Sequence, residues 1–464
     1  MNILKKIGSA LAFPWKHNKV FSIVTTTVMV LLIAVAIVVT QVPLIYLTLN
    51  SVIGDERRVL VSGDPSTAQY YTADEGINNK ADALAYANSV NEELCEEGFV
   101  LLKNDNSLPL AHGAKVSVFG INSADLVYGG SGSAAKDNED NVDLYKSLEN
   151  AGIQYSTALK NFYESKLSEG EGRPDSPAMG ATINGFATGE LALSEYAGGI
   201  EAYTDGCEDA ALMVVSRIGG EGYDLPRTML NTDSDGTTIA GASREAHYLE
   251  LDENEKALLA ELCAEDSPFD NVILILNTST SIELGFLNDG TYGAKLKGAL
   301  WIGLPGGSGV NALGKILTGE VNPSGSLVDT YAADFMSIPS IENFGTFINS
   351  ADQYSYSGYS DLNAYTVNGT PQESHFVEYE EGIYIGYRYF ETRGYTDGEE
   401  WYDANVVYPF GYGLSYTDFE WTIDEGSWKI GDQTLTEGAD LGAGDQYKDI
   451  SVTVNVKNIG DVAG

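Results

Sequence analysis

One carboxylate in this sequence stands where an enzyme could use it. Glu221 lies in the segment Ser216–Asp224 (SRIGGEGYD), directly after the apolar run Ala210–Val215. A short run of this kind that ends in glycines is typical of a buried strand, and open α/β sheets bind ligands beyond the carboxyl ends of such strands. The glycines also leave the carboxylate without bulky neighbours. By itself the local pattern favours a simpler alternative, a glycine-rich turn with a solvated glutamate, so the rest of the chain must decide.

Three other segments imitate cofactor sites, and each fails at a position that the chemistry needs. Residues 309–316 have the spacing of a phosphate-binding loop, but Ile316 replaces the hydroxyl that holds magnesium. Gly130 and Gly132 resemble part of a dinucleotide fingerprint, but a whole loop separates them from the preceding strand pattern. Residues 231–236 begin like a calcium loop, yet the bidentate glutamate that completes such a loop is missing. The sequence therefore predicts no cofactor and no metal.

Composition excludes further classes of function. The net charge is -41, and residues 61–464 carry 20 Lys or Arg against 65 Asp or Glu. Such an acidic body argues against binding nucleic acid, which requires clustered Lys and Arg. The three cysteines are odd in number and far apart, and the four histidines are scattered, so neither a disulfide framework nor a zinc site is indicated.

The amino-terminal part has a different composition. Residues 20–54 contain no charged side chain, and residues 21–40 include twelve Val, Ile, Leu or Phe. This pattern predicts a transmembrane anchor over 20–49, after a basic cytoplasmic tail at 1–19 and before a connector at 50–79. The body would then be extracytoplasmic, on a single-pass protein of the cell membrane. A cleaved signal peptide is the alternative, but its apolar core would be shorter.

Patterns of helices and strands alternate along the body. This alternation predicts an α/β fold, a mostly parallel sheet with helices on both faces. Residues 335–375 show no sustained period and indicate irregular surface structure. Strand patterns at 419–423 and 450–457 resemble a half-buried β-sandwich. Because a sandwich needs about 100 residues, we expect only part of one within 417–464. The strands are predicted at 99–102, 115–119, 210–215, 271–276 and 298–302, and the helices at 81–97, 142–150, 252–264 and 310–317.

Five segments in this order resemble one family, glycoside hydrolase family 3, whose members include β-glucosidases and β-xylosidases. Residues 80–416 resemble its C-terminal α/β-sandwich domain, and residues 417–464 resemble the start of its fibronectin type III-like domain. The segments that carry the resemblance are Glu97–Asn104 (EGFVLLKN), Gly129–Ser133 (GGSGS), Gly319–Gly325 (GEVNPSG), Tyr384–Phe390 (YIGYRYF) and Tyr408–Phe419 (YPFGYGLSYTDF).

The resemblance implies a chemistry and a set of site residues. The family hydrolyses β-linked glycosides with retention, using an aspartate nucleophile on a (β/α)₈ barrel and an acid/base glutamate from the sandwich domain. Glu221 matches that glutamate, and the resemblance implies that the loop Gly130–Ser133 and Arg217 contact the sugar. Asp224 is interpreted as a residue that shapes the loop. The implied substrate-binding residues are Gly130, Ser131, Gly132, Ser133 and Arg217.

One departure from the family pattern limits this interpretation. A barrel needs about 250 residues, and only a short connector separates the predicted anchor from the sandwich. We therefore expect this chain to supply the acid/base half of a membrane-tethered retaining β-glycosidase. It would be incomplete and inactive alone, with a barrel supplied in cis or in trans and a β-linked oligosaccharide or glycoside as substrate. The alternative is a non-catalytic, membrane-anchored carbohydrate-binding or relic domain.

Overall fold

The computed structural model describes the chain in several stretches. It divides into two compact units, Met1–Glu75 and Gly76–Gly464. The described residues are 19–41, 77, 79–130, 132, 141–173, 187–219, 221, 229, 241–243, 246–342, 365–367, 370–372, 381–424, 426–431, 433–434 and 449–464.

The first unit contains one described helix, α1 (Lys19–Gln41). The structure does not support the predicted membrane anchor over 20–49, because no helix among the described residues is both long and apolar enough to cross a membrane. Residues 1–18 and 42–76 lie outside the described residues. The extracytoplasmic location of the body stays a prediction.

The second unit is built on a six-stranded sheet in the order β1-β6-β5-β4-β2-β3. Strands β2 to β6 run parallel, and β1 pairs antiparallel with β6 at one edge. The predicted α/β class with a mostly parallel sheet is therefore confirmed. The strands are β1 (Val100–Asn104), β2 (Lys115–Phe119), β3 (Gln154–Tyr155), β4 (Ala210–Arg217), β5 (Val272–Thr278) and β6 (Leu296–Trp301).

Helices cover both faces of this sheet. Side chains of α4 and α5 pack into one apolar layer, and those of α3 and α6 pack into the other, with α2 beside α6. The predicted helices are found within one or two residues of their expected ends, while α4 and β3 were not predicted. The helices are α2 (Lys80–Gly98), α3 (Leu144–Asn150), α4 (Thr157–Ser168), α5 (Glu253–Cys263) and α6 (Asn311–Thr318).

The central strand β4 shows how the sequence produces this layering. All eight of its residues are buried, and successive side chains of a strand point to opposite faces. Ala211, Met213 and Val215 join the layer of α4 and α5, whereas the even-numbered residues between them join the layer of α3 and α6. A strand that is covered on both sides must be apolar on both, which explains its unbroken Val- and Leu-rich pattern.

The remaining described elements lie outside the six-stranded sheet. Residues 335–375, predicted to be irregular, contain α7 (Pro339–Glu342), β8 (Tyr365–Val367) and β9 (Thr370–Gln372) among their described parts. Strand β7 (Tyr331–Ala332) pairs with β10 (Val406–Tyr408). Helices α8 (Tyr387–Asp397) and α9 (Glu399–Asn405) precede β10 in the sequence. The other strands are β11 (Phe419–Ile423), β12 (Lys429–Ile430), β13 (Gln433–Thr434), β14 (Ile450–Ser451) and β15 (Val454–Asn458).

The last fifty residues partly match their predicted pattern. Strand β11 has the predicted bounds, but the strand expected over 450–457 is divided into β14, which pairs with β12, and β15, which pairs with β11. Both β11 and β15 are largely exposed, including Trp421 and Val456. The strand is interrupted at Val452 and Thr453, where the chain passes from the sheet that contains β12 to the sheet that contains β11.

Candidate active site

The candidate site lies where the strand order of the sheet reverses. Strand β3 flanks β2 on one side, while β4, β5 and β6 follow on the other. The loops after β2 and β4 therefore leave the same edge of the sheet, at neighbouring strands. Open α/β sheets bind their ligands at such a switch point, beyond the carboxyl ends of the strands. Glu221 follows β4, and the loop containing Gly132 follows β2.

Gly132 and Glu221 contact each other across this switch point. A Cβ atom added to Gly132 would lie 2.8 Å from the Cβ atom of Glu221 and 2.8 Å from its Oε2 atom. Gly132 also has a φ of +66°, a backbone conformation that residues with a Cβ atom rarely adopt. Glu221 is exposed. The two predicted site segments are therefore adjacent, and the carboxylate is accessible to solvent.

Asn277, at the carboxyl end of β5, joins the loops that surround the site. Its amide nitrogen donates to the carbonyl oxygens of Val127 (2.9 Å) and Gly303 (2.8 Å). Its amide oxygen accepts from the Val127 backbone N–H (2.7 Å) and the Ser216 hydroxyl (2.9 Å). The side chain is fully buried. One amide thus ties the segments after β2 and β6 to the end of β4.

Arg217 differs from its predicted role. The resemblance implied that it contacts the sugar, but its side chain is completely buried and pairs with Glu255 through two bonds of 2.8 and 2.7 Å. The other three guanidinium N–H groups donate to the backbone carbonyl oxygens of Ser216, Tyr248 and Glu250. A guanidinium group has five N–H donors, so none is left for a substrate. We correct its assignment to a residue behind the site.

Glu255 belongs to the amino-terminal cap of α5. The Asp252 carboxylate accepts the Glu255 backbone N–H (2.6 Å), and the Glu255 carboxylate accepts the Asp252 N–H (2.8 Å), which forms a capping box. The Thr188 hydroxyl donates to Asp252. Burial, followed by the charge of Glu255, raises the pKa of Asp252 to about 7. The guanidinium of Arg217 is therefore held by a cap that is itself hydrogen-bonded.

A second buried carboxylate connects this cap region to the loop after β2. Glu190 accepts backbone N–H groups from Ile121 (3.1 Å) and Leu191 (3.0 Å). Burial, followed by the charges of Glu255 and Asp252, raises the pKa of Glu190 well above its usual value. Glu190 therefore stays protonated at pH values at which an exposed glutamate is ionised.

Tyr248 holds the backbone directly after Arg217. Its phenolic oxygen accepts the Ile218 N–H (3.0 Å) and lies 3.3 Å from the Ile218 carbonyl oxygen, to which it donates. The ring lies beside the Arg217 guanidinium, 5.6 Å from its carbon. Hydrogen bonds from the Arg217 side chain and to the Ile218 backbone thus fix the chain where it leaves β4.

Several predicted site residues can now be placed. Gly130 is buried and Gly132 is exposed beside Glu221, so the structure brings this loop to the candidate acid/base residue. Ser131 and Ser133 lie outside the described residues, as do Asp224 and the segment 231–236 that imitates a calcium loop. Lys315, the lysine of the phosphate-loop imitation, pairs with Glu92 and Glu96 at 2.6 Å each.

Sequence reasoning missed Asn277, Tyr248, Glu255 and Asp252. Two of them carry a detectable signal, since Asp252 followed by Glu255 ahead of an apolar helix is the pattern of a capping box. Parity also places Arg217 on the same face of β4 as Met213, the face that α4 and α5 cover, although it does not name the partner. The partners of Asn277 have no local signal, because they are far away in the sequence.

Other kinds of site find no support in the described part of the chain. Its residues contain no group of three or more His, Cys, Asp or Glu side chains that could hold a metal ion. Burial raises the thiol pKa of Cys207 and, to about 11 and 12, those of Cys95 and Cys263. All three cysteines are therefore poor nucleophiles.

Comparison with known proteins identifies the class to which this fold and site belong. A model of the glycosyl hydrolase family 3 C-terminal domain matches residues 99–387. The chain belongs to glycosyl hydrolase family 3, and the predicted family is confirmed. The predicted domain boundaries stay predictions.

Curated relatives include two β-glucosidases. The chain is 28% identical to β-glucosidase A of Butyrivibrio fibrisolvens over 413 residues, which cover 85% of this chain and 43% of the relative. It is 28% identical to a β-glucosidase of Ruminococcus albus over 379 residues, 80% of this chain and 31% of the relative. The chain thus spans less than half the length of these proteins.

Solved structures show the same fold. The chain superimposes on a β-glucosidase from Paenibacillus barengoltzii with a TM-score of 0.56 and 27% identity, over 80% of this chain and 32% of that one. It also matches β-glucosidase 3B from Thermotoga neapolitana, solved in complex with α-D-glucose, with a TM-score of 0.55 and 24% identity, over 83% and 43% of the two chains.

Proposed function

We propose that this chain provides the acid/base half of a retaining β-glycosidase of the β-glucosidase or β-xylosidase type. Glu221 is the acid/base residue, and the loop Gly130–Ser133 lines the sugar site. The observation that carries the proposal is the contact of exposed Glu221 with Gly132 at the switch point of the sheet. Membership of glycosyl hydrolase family 3 and the β-glucosidase relatives support it.

The proposed reaction has two steps. Protonated Glu221 first donates its proton to the departing glycosidic oxygen while a second carboxylate attacks the anomeric carbon and forms a glycosyl ester. Ionised Glu221 then takes a proton from water as the water oxygen attacks the anomeric carbon and releases the second carboxylate. The sugar leaves with retained configuration, and Glu221 is protonated again.

A second carboxylate must stand about 5–5.5 Å from the acid/base residue in a retaining enzyme. We assign it to a (β/α)₈ barrel domain, in the same polypeptide or in another chain. The exposure of Glu221 supports this arrangement, because an acid/base residue on an open edge can face a second domain. Neutral sugars also suit the acidic surface, whose net charge is strongly negative.

Kinetics on aryl β-glucosides and β-xylosides test the proposal. The protein is assayed together with the domain that carries the nucleophile, in the same polypeptide or added as a separate chain. Glu221→Gln should lower kcat/KM by about 10²- to 10⁴-fold on substrates with poor leaving groups. Glu201→Gln changes another exposed glutamate and should leave the rate unchanged. Robust turnover by the 464-residue chain alone that survives Glu221→Ala would contradict both the acid/base assignment and the need for a barrel.

A further inference from the structure

Arg217 lies four residues before Glu221, yet its guanidinium is buried against Glu255 of α5 while Glu221 is exposed. All five of its N–H groups have acceptors, two of them on Glu255. We propose that the Arg217–Glu255 pair positions the acid/base loop, so that it sets where Glu221 stands relative to the substrate. This inference rests on the acid/base role proposed for Glu221.

Stability alone does not account for this pair. Both side chains have 0% exposure, and burying two charges costs about as much free energy as their attraction returns. A buried apolar pair of similar volume would often be as stable. What the ion pair adds is direction, because the planar guanidinium meets a carboxylate in one two-bond geometry. The end of β4 is thereby held at a fixed angle to α5.

The acid/base loop needs a fixed starting point because it begins with two glycines, which restrict the backbone conformation little. Gly219 and Gly220 follow Ile218, and glycine permits many backbone conformations. The direction of the chain is therefore set before them, by Arg217 and by the Tyr248 hydroxyl on both backbone groups of Ile218. A shift at Arg217 would therefore move the point from which the chain leaves β4 toward Glu221.

The same network reaches the loop on the other side of the site. Glu255 is joined to Asp252, and Asp252 to the Thr188 hydroxyl. Two residues further along, Glu190 binds the backbone N–H of Ile121, in the segment that leads from β2 toward Gly132. The pair therefore lies in a connected set of buried polar groups that supports both loops of the candidate site.

Dependence on the leaving group separates positioning from a merely structural role. An aryl glycoside whose phenol is strongly acidic departs with little help from a general acid, whereas a poor leaving group needs its proton. A displaced acid therefore slows the poor substrates selectively, and a small displacement can cost about 10²-fold. Partial unfolding, by contrast, lowers the rate on all substrates by the same factor.

The test uses Arg217→Lys and Glu255→Gln in the protein assayed with its nucleophile domain. Both variants should lose about 10²-fold in kcat/KM on poor leaving groups and less than about 3-fold on dinitrophenyl glycosides. Lys315→Met is the matched control, since it removes two other ion pairs, between α6 and α2, and any loss of kcat/KM should be equal on both kinds of substrate. Glu255→Gln keeps the side-chain shape and serves if Arg217→Lys does not fold.

The outcomes distinguish the inference from the proposed function. Equal losses on both kinds of substrate in Arg217→Lys and Glu255→Gln, while Glu221→Gln is selective, would overturn the positioning role alone. If Glu221→Gln itself shows no dependence on the leaving group, or if the unsubstituted protein has no turnover when assayed with its nucleophile domain, the proposed function fails and this inference fails with it.

Discussion

A Cβ atom on Gly132 would lie 2.8 Å from the Cβ atom of Glu221, so the two residues leave no room for a side chain between them. The approach joins the loops that follow β2 and β4. It explains why a glycine occupies the third position of the Gly130–Ser133 loop, where φ is also +66°. Several measurable consequences follow from this contact and from the buried groups behind it.

Substitution at Gly132 should damage activity more than stability. In Gly132→Ala the new methyl group would displace Glu221, and we expect kcat/KM to fall by at least about tenfold. The left-handed backbone adds a cost of about 1 kcal/mol. Gly152→Ala is the control, because Gly152 has a φ of +75° and open space around its Cβ position. Kinetics and urea unfolding compare the two, and equal activity in both variants would contradict the contact.

Asn277 should be among the most sensitive residues for stability. Asn277→Ala leaves four hydrogen-bonding groups of Val127, Gly303 and Ser216 without their partner. Each buried unsatisfied group costs about 1–3 kcal/mol, so the free energy of unfolding should fall by at least about 3 kcal/mol. Asn150→Ala, which removes an exposed hydrogen bond to Asn311, should change it by less than about 0.5 kcal/mol. Similar midpoints in chemical denaturation would argue against the role of Asn277.

Asp252 should make stability depend on pH. Its pKa is raised from 3.8 to about 7 in the folded chain, so the folded state binds a proton that the unfolded state has released between these values. The free energy of unfolding should therefore fall as pH rises from about 4 to 7, by up to about 1.4 kcal/mol per pH unit for this proton. Asp252→Asn keeps an amino-terminal cap and should flatten this slope.

The control for Asp252→Asn is Glu253→Gln, which changes the next residue, an exposed carboxylate of α5. Its unfolding free energy should keep the slope of the unsubstituted chain over the same pH range. Denaturant titrations at intervals of one pH unit measure both variants. An unchanged slope in Asp252→Asn would show that the proton is bound elsewhere.

The cysteines should be unreactive in the folded chain. With thiol pKa values of about 11 and 12 for Cys95 and Cys263, about a thousandth or less of either is thiolate at pH 8. Iodoacetamide should therefore label the native chain slowly and the urea-unfolded chain rapidly at all three cysteines. Mass spectrometry of timed samples measures both rates, and fast native labelling at any cysteine would refute the expectation.

The sequence by itself determined the α/β class, most helices and strands of the sheet, the family, and the place of Glu221 after a buried strand. These features are local, since the periods of helix and strand and the position of a glycine-rich turn are contained within short windows. Only the tertiary structure decided that the loops after β2 and β4 meet, because strand order depends on pairing between distant segments. It also decided that Arg217 turns inward to Glu255, since the partner of a buried charge is set by packing between elements that the sequence separates by 38 residues.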